Sequence, residues 1–143
     1  NKKLPKYICS FPVNKNEITK AILSNKINLK KIISIVHEEV RKKMKIFLKK
    51  NKHKKIVVLD IPLLLENKIY KKKDILVFVD SKAKEINKRL KKRKNFNTKL
   101  ISKFKKIQFN KNYKKKKSNF IIKNNFTKKH IDESIKNILN EIL

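Results

Sequence analysis

Apolar residues recur along this chain in two rhythms. Between Glu17 and Leu23 a short amphipathic stretch predicts a helix. Asn28 is then placed to cap a longer one, because Leu29, Ile32, Ile33, Val36, Val40, Met44 and Phe47 follow at spacings of three and four. That spacing draws one buried stripe, and the intervening lysines make the solvated face. After the turn-like stretch Asn51 to Lys55 the rhythm changes. Ile56, Val57, Val58 and Leu59 are continuous, which is the pattern of a strand buried on both faces in a parallel sheet. Asp60 ends that run, and Pro62 denies ladder pairing to Leu63, Leu64 and Leu65.

The second half repeats the alternation. Ile75 to Val79 reads as another buried strand ending at Asp80, with Ser81 placed to cap a helix that continues through Arg93. Thr98 caps an amphipathic helix carrying Leu100, Ile101, Phe104 and Ile107. Phe120 to Ile122 is a short third strand, and Thr127 caps a last helix with Ile131, Ile135, Ile138 and Ile142 on one face. Strands alternating with helices predict an α/β domain with a parallel sheet flanked by helices. No internal repeat is present, and the run Lys114 to Lys117 reads as a solvated loop.

Composition narrows the chemistry. The 143 residues contain no glycine, so neither a GxxxxGK[ST] phosphate loop nor a GxGxxG turn lies within them. No apolar run approaches the length of a membrane span, and the single Cys9 excludes an internal disulfide and fits a reducing compartment. The net charge of +31 suits a phosphate-bearing partner. Yet 39 of the 42 basic residues are lysine, and lysine, asparagine and isoleucine dominate throughout, as in AT-rich coding sequence. Only Arg41, Arg89 and Arg93 offer the planar fork that reads phosphate or base, and Tyr7, Tyr70 and Tyr113 are too scattered for a stacking platform. The charge therefore does not by itself specify nucleic acid.

Ligands of open α/β sheets bind beyond the carboxyl ends of the strands, which selects Asp60, Asp80 and the pair Asn124 and Asn125. Asp60 is suited to hold a Mg²⁺ through its waters, or simply to cap the turn before Pro62. On a continuous helix Arg89 and Arg93, four residues apart, share a face. His37 stands beside Glu38, Glu39 and Arg41 with no second histidine at metal spacing, and no Cys and His set suggests zinc.

With these residues in view, the order of motifs resembles the dephospho-coenzyme A kinase family. The similarity runs through VVLDIPLLLENKIYKKKDILVFVD (Val57 to Asp80), NKRLKKR (Asn87 to Arg93), Gln108 and NFIIKNN (Asn119 to Asn125). Upstream, VHEEVRKKM (Val36 to Met44) is similar to a helix that reads HP-x-[IV]-R in the family. Three departures stand beside the matches. Glu38 occupies a family proline, Lys123 an acidic position, and Phe126 the glycine after the Asn pair, where positive φ is difficult for phenylalanine.

The resemblance implies a P-loop kinase-like core with a helical lid, phosphorylating the ribose 3′-hydroxyl of dephospho-coenzyme A with ATP and Mg²⁺ in the cytoplasm. It implies Asp60 and Arg93 in catalysis, Asp60 toward Mg²⁺ through water and Arg93 also in nucleotide binding, with Arg89, Asn124 and Asn125 on the nucleotide and Gln108 in the lid. His37, Arg41, Pro62, Leu63 and Glu66 fall on the coenzyme A side. It also implies one partial kinase domain: a helical substrate-side segment (1–50), core strands (56–80), a lid region (81–117), and a last strand and helix (118–143). Because the family opens with a glycine-rich phosphate loop and this chain opens at Asn1, the expectation is an amino-terminally truncated kinase, inactive alone. Another P-loop nucleoside or nucleotide kinase, or a basic nucleic-acid-binding module, are the alternatives.

Overall fold

The computed structural model describes residues 7–143. Its elements are α1 (Lys15–Ser24), α2 (Lys26–Lys50), β1 (Val77–Asp80), α3 (Ala83–Lys91), α4 (Thr98–Ile107), α5 (Lys111–Lys117), β2 (Phe120–Lys123) and α6 (Lys128–Ile142). It is an α/β arrangement in two compact units. One contains α1, α2, the chain through Ile69, and α4; the other contains Tyr70–Asn97 and Gln108–Leu143. No helix among the described residues is long and apolar enough to cross a membrane.

In the first unit, Asn14 caps α1 by accepting from the Asn16 N–H at 2.8 Å. Asn25 closes α1 and caps α2, accepting from the Asn28 N–H at 2.8 Å. The cap expected at Asn28 thus lies three residues earlier. Asn28 is instead buried against α1, where its amide donates to the Ala21 carbonyl at 3.1 Å and to Ser24 Oγ at 2.9 Å. A buried carboxamide satisfies an α1 carbonyl that helix termination leaves free. Lys103 on α4 does the same for the next two, donating to the carbonyls of Ile22 (2.8 Å) and Leu23 (3.0 Å). Ala21, Ile22 and Leu29 form the buried centre of this corner.

The α2 stripe is only partly covered. Leu29 is buried, but Val36 and Phe47, expected inside, are about half exposed. Length explains the difference: at about 1.5 Å per residue, α1 spans roughly 15 Å and α2 roughly 37 Å, so α1 shields only part of α2.

The second unit holds a parallel pair. Val77, Phe78, Val79 and Asp80 stand in register with Phe120, Ile121, Ile122 and Lys123. Asn119 starts the pairing, its Oδ1 accepting from the Leu76 N–H at 2.8 Å while its own N–H donates to the Leu76 carbonyl at 2.8 Å. The strand expected at Ile75 to Val79 is therefore laddered two residues later. It is not buried on both faces either: Phe78 is half-buried on the face it shares with exposed Ile121, whereas Val77 and Val79 are exposed on the opposite face, where only Ile122 of the partner strand is buried.

Three further expectations are corrected. Ile56 to Leu59 forms no strand: the run is without ladder partners among the described residues, and Val58 is 82% exposed. Continuous apolarity signals a wish for burial but does not supply a neighbouring strand. The helix expected from Ser81 through Arg93 is capped at Lys82 without a side-chain bond and ends at Lys91. Lys114 to Lys117 is not a loop but the carboxyl end of α5, which Asn110 starts by accepting from the Tyr113 N–H at 2.7 Å. Lysines in a last turn complement the helix dipole, and that favours the helix over the loop read from charge alone.

Candidate functional site

Two clusters carry the polar side chains singled out by sequence, one in each unit. In the first, Pro62 to Lys68 makes a compact turn with the hydrogen bonds of a helix terminus. The Asn67 N–H donates to the Leu63 carbonyl at 3.0 Å, Lys68 to Leu65 at 3.2 Å, and Ile69 to Leu64 at 3.1 Å. The last two are the paired bonds of a Schellman ending, with Lys68 in the left-handed position at φ 50° and Ile69 buried behind it. Leu63 is left-handed as well, at φ 57°.

Asn67 attaches this turn to α2. Its amide nitrogen lies 3.1 Å from His37 Nε2 and donates to the Leu63 carbonyl at 3.0 Å, while Arg41 Nη2 donates to the Asn67 carbonyl at 3.2 Å. Because an amide NH₂ only donates, His37 Nε2 accepts and the ring proton sits on Nδ1, which is buried without a hydrogen-bond partner among the described residues. Burial first, then the charge of Arg41, hold the His37 imidazole below its ordinary pKa. His37, Arg41 and the Leu63 backbone thus meet at one place. Glu66 is half-buried in the same turn, and Pro62 is exposed at its start. Sequence reasoning missed Asn67, although it stands inside the PLLLEN motif; its signal was an amide following a leucine run at a turn.

The second cluster lies beyond the carboxyl end of β2. Asn124 Oδ1 accepts from the Phe126 N–H at 2.7 Å, and Asn125 Oδ1 accepts from the Thr127 N–H at 3.0 Å and from its hydroxyl at 2.7 Å. Phe126, which stands where the resemblance has glycine, does adopt positive φ, 65°. The turn survives, and the ring lies under the Arg89 guanidinium with its carbon 3.9 Å from the ring centroid. Phe126 is the second residue that sequence reasoning undervalued, since it was read only as a departure.

Asp80 has a structural occupation. Its carboxylate, 14% exposed, is ion-paired with Lys111 and Lys115, one turn apart on α5. Hydrogen bonds from Lys111 and then Lys115 hold it below the usual carboxylate range, although its burial opposes that shift.

The remaining candidates are dispersed. Asp60 is exposed after the unladdered run, Arg93 is exposed in the turn after α3, and Gln108 is exposed just after α4. With the helix ended at Lys91, Arg89 and Arg93 do not share a helical face. No group of three or more His, Cys, Asp or Glu among the described residues is arranged to hold a metal ion.

A parallel strand pair among helices, with polar clusters on turns that follow an apolar run or a strand, is an α/β arrangement, and in open α/β sheets the turns beyond the strand ends are where ligands bind. The model of the family described as dephospho-CoA kinase matches residues 12–130, and the chain belongs to that family. It is similar to the dephospho-CoA kinase of Wolbachia pipientis wMel, 29% identical over 99% of this chain and 73% of the relative. That of Bartonella quintana is 29% identical over 92% and 68% respectively, and that of Fusobacterium nucleatum 32% over 79% and 58%.

Proposed function

We propose that this chain provides the acceptor, lid and nucleobase portions of an ATP-dependent kinase that phosphorylates the ribose 3′-hydroxyl of dephospho-coenzyme A in the cytoplasm. The observation that carries the reading is the docking of the Pro62–Lys68 turn onto α2 through Asn67. It gathers His37, Arg41 and Leu63, from two separate motifs, into one wall. Beside that wall, Pro62 and Glu66 bound the coenzyme A side, with Arg41 the cation available to an acceptor phosphate.

Phosphoryl transfer needs positioning and charge stabilisation more than covalent help from the protein. Arg93, an exposed planar fork, is assigned to the transferring phosphates, and Gln108 to the lid. Asp60 offers one exposed carboxylate, which fits a Mg²⁺ that enters on the nucleotide phosphates and keeps its waters rather than an ion held in a protein cage. Such an ion neutralises charge on the phosphates. In this reading residues 1–50 form the acceptor side, 56–80 the core, 81–117 the lid region and 118–143 the base side. The β- and γ-phosphates require a glycine-rich loop, which these 143 glycine-free residues do not contain.

Phosphotransfer from ATP to dephospho-coenzyme A is measured on the 143-residue chain and on a fusion with the portion of the Wolbachia pipientis relative that this chain does not cover. The fusion is expected to be active and the chain alone silent. A fusion that phosphorylates another nucleoside but not dephospho-coenzyme A overturns the acceptor assignment, and turnover by the chain alone overturns the account of phosphate binding.

A further inference from the structure

The hydrogen bonds at Asn67 leave its side chain one orientation. Its NH₂ donates to the Leu63 carbonyl at 3.0 Å and lies 3.1 Å from His37 Nε2. Turning the amide over would set Oδ1 against that carbonyl, acceptor facing acceptor, so the Leu63 backbone decides which way Asn67 points. Which nitrogen of a histidine carries the proton is set by the bond the other one makes. With an NH₂ fixed against Nε2, only Nδ1 is left for it. That is a costly place: His37 is buried, and Nδ1 meets no acceptor among the described residues. An unconstrained imidazole in water favours its proton on Nε2. The fold therefore holds the less favoured tautomer, and the oriented Asn67 amide is what accounts for it.

We infer that Asn67 is the positioning residue of the acceptor wall: oriented by Leu63, it fixes the His37 proton on Nδ1, and it keeps the Pro62–Lys68 turn seated on α2 only while that ring is neutral. The inference deepens the acceptor role proposed above, and its effect on substrate binding rests on that reading. An imidazolium carries a proton on both nitrogens, so it would bring a second donor against the Asn67 NH₂, and the amide cannot answer by turning over. The surrounding charges point the same way. On α2, Arg41 lies one turn beyond His37 and donates to the Asn67 carbonyl at 3.2 Å, so a charged ring would meet a cation already in place. Glu38, beside His37 in sequence, is paired with Lys42 at 3.2 Å. On the turn, Asn67 stands between Glu66 and Lys68. Burial first, then Arg41, hold the ring below its ordinary pKa. Protonation thus undoes the bond to His37 and leaves the one from Arg41, which loosens the wall without dismantling it.

The tautomer is read on the 143-residue chain by NMR, from the ring-nitrogen shifts of His37, identified by their loss in His37→Gln. At neutral pH the proton is expected on Nδ1, with Nε2 bare. Asn67→Ala, checked for fold by circular dichroism, is expected to move the proton toward Nε2 and to raise the His37 pKa toward its ordinary value. Asn67→Asp, which offers Nε2 an acceptor and a negative charge, should raise it further than alanine does. In the active fusion, KM for dephospho-coenzyme A is followed between about pH 8 and 5, the range in which histidine titrates. It should rise severalfold toward the acid end with kcat less affected, whereas Asn67→Ala should begin about tenfold high and stay level. Protonation of the substrate itself is common to both proteins, so the difference between the two profiles belongs to the chain. A parent ring protonated on Nε2, a tautomer unmoved in a folded Asn67→Ala, or an acid rise in KM that the alanine variant keeps would each overturn the inference. If the proton sits on Nδ1 and moves as expected but the fusion transfers no phosphate to dephospho-coenzyme A, the kinase reading fails and the role of Asn67 on His37 stands. If the fusion is active while the His37 proton is on Nε2, the role of Asn67 fails and the kinase reading stands.

Discussion

Replacing Lys68 by glycine should stabilise the protein, and the reason is purely conformational. Lys68 closes the Schellman ending at φ 50°, is exposed, and forms no side-chain bond among the described residues. An L-residue in this region costs roughly 1–2 kcal/mol through the clash of Cβ with the following carbonyl. Glycine removes that clash but adds unfolded-state freedom worth about 0.5–1 kcal/mol. The difference favours Lys68→Gly by about 0–1.5 kcal/mol, at most roughly 3–6 °C in Tm for a chain of this size. Lys68→Ala is the control, because it removes the same lysine and keeps the Cβ. Thermal and urea unfolding followed by circular dichroism at 222 nm should then separate the two variants, glycine above the parent and alanine close to it. If the two variants melt together, or glycine melts lower, the backbone at 68 is not strained and the Schellman reading of the turn is wrong.

Four further outcomes follow from the same geometry. Asn67→Ala should loosen the turn from α2 and raise the KM of the active fusion for dephospho-coenzyme A by about tenfold, the loss of one or two hydrogen bonds, with kcat less affected. Because burial and Arg41 depress the His37 pKa in the folded state, His37 contributes stability above its unfolded value of about 6.5 that is lost as pH falls through the folded one; His37→Gln should flatten the unfolding curve between about pH 7 and 5. Asp80 is depressed too, so Asp80→Asn should lower Tm at neutral pH, and the gap from the parent should close below about pH 4 as the parent carboxylate protonates. In the fusion, Arg93→Lys should reduce kcat/KM for ATP clearly, whereas Lys116→Gln with Lys117→Gln should change mainly its salt dependence.

What the sequence made legible was the material whose signal is local. The helices of α1, α2, α4 and α6 follow from apolar spacing, and β1 and β2 from short β-branched runs. Their parallel pairing matches the expected alternation. The failures lie where a second segment decides. Asn25 and Asn28 are equally good caps by type, and only the packing of α1 against α2 makes the latter an internal bridge. Ile56 to Leu59 has the composition of a strand and no ladder. The lysines at 114–117 read as a charge run until Asn110 caps them and Asp80 binds Lys115. At the site, His37, Arg41, Leu63 and Glu66 could be named one by one, but not Asn67, which joins His37 and Arg41, 30 and 26 residues away, to Leu63 in its own turn.

The absence of glycine sharpens the reading of Phe126. Among the described residues three occupy left-handed backbone, and none is glycine, so each must be held by its neighbours. At Leu63 and Lys68 the restraint is the hydrogen-bonded turn itself, with Asn67 fastening it to α2. Turn geometry accounts for both without invoking a ligand. Phe126 differs because its turn is fixed by the side chains of Asn124 and Asn125, and a leucine or lysine there would meet the same backbone requirement. The backbone therefore explains the strain but not the ring. What the ring adds is a flat apolar surface under Arg89, in a protein with only three arginines among 42 basic residues. A lysine at 89 would supply the same charge to a phosphate. The ring therefore acts on the arginine rather than on the turn: it covers one face of the guanidinium and orients a side chain that would otherwise rotate freely.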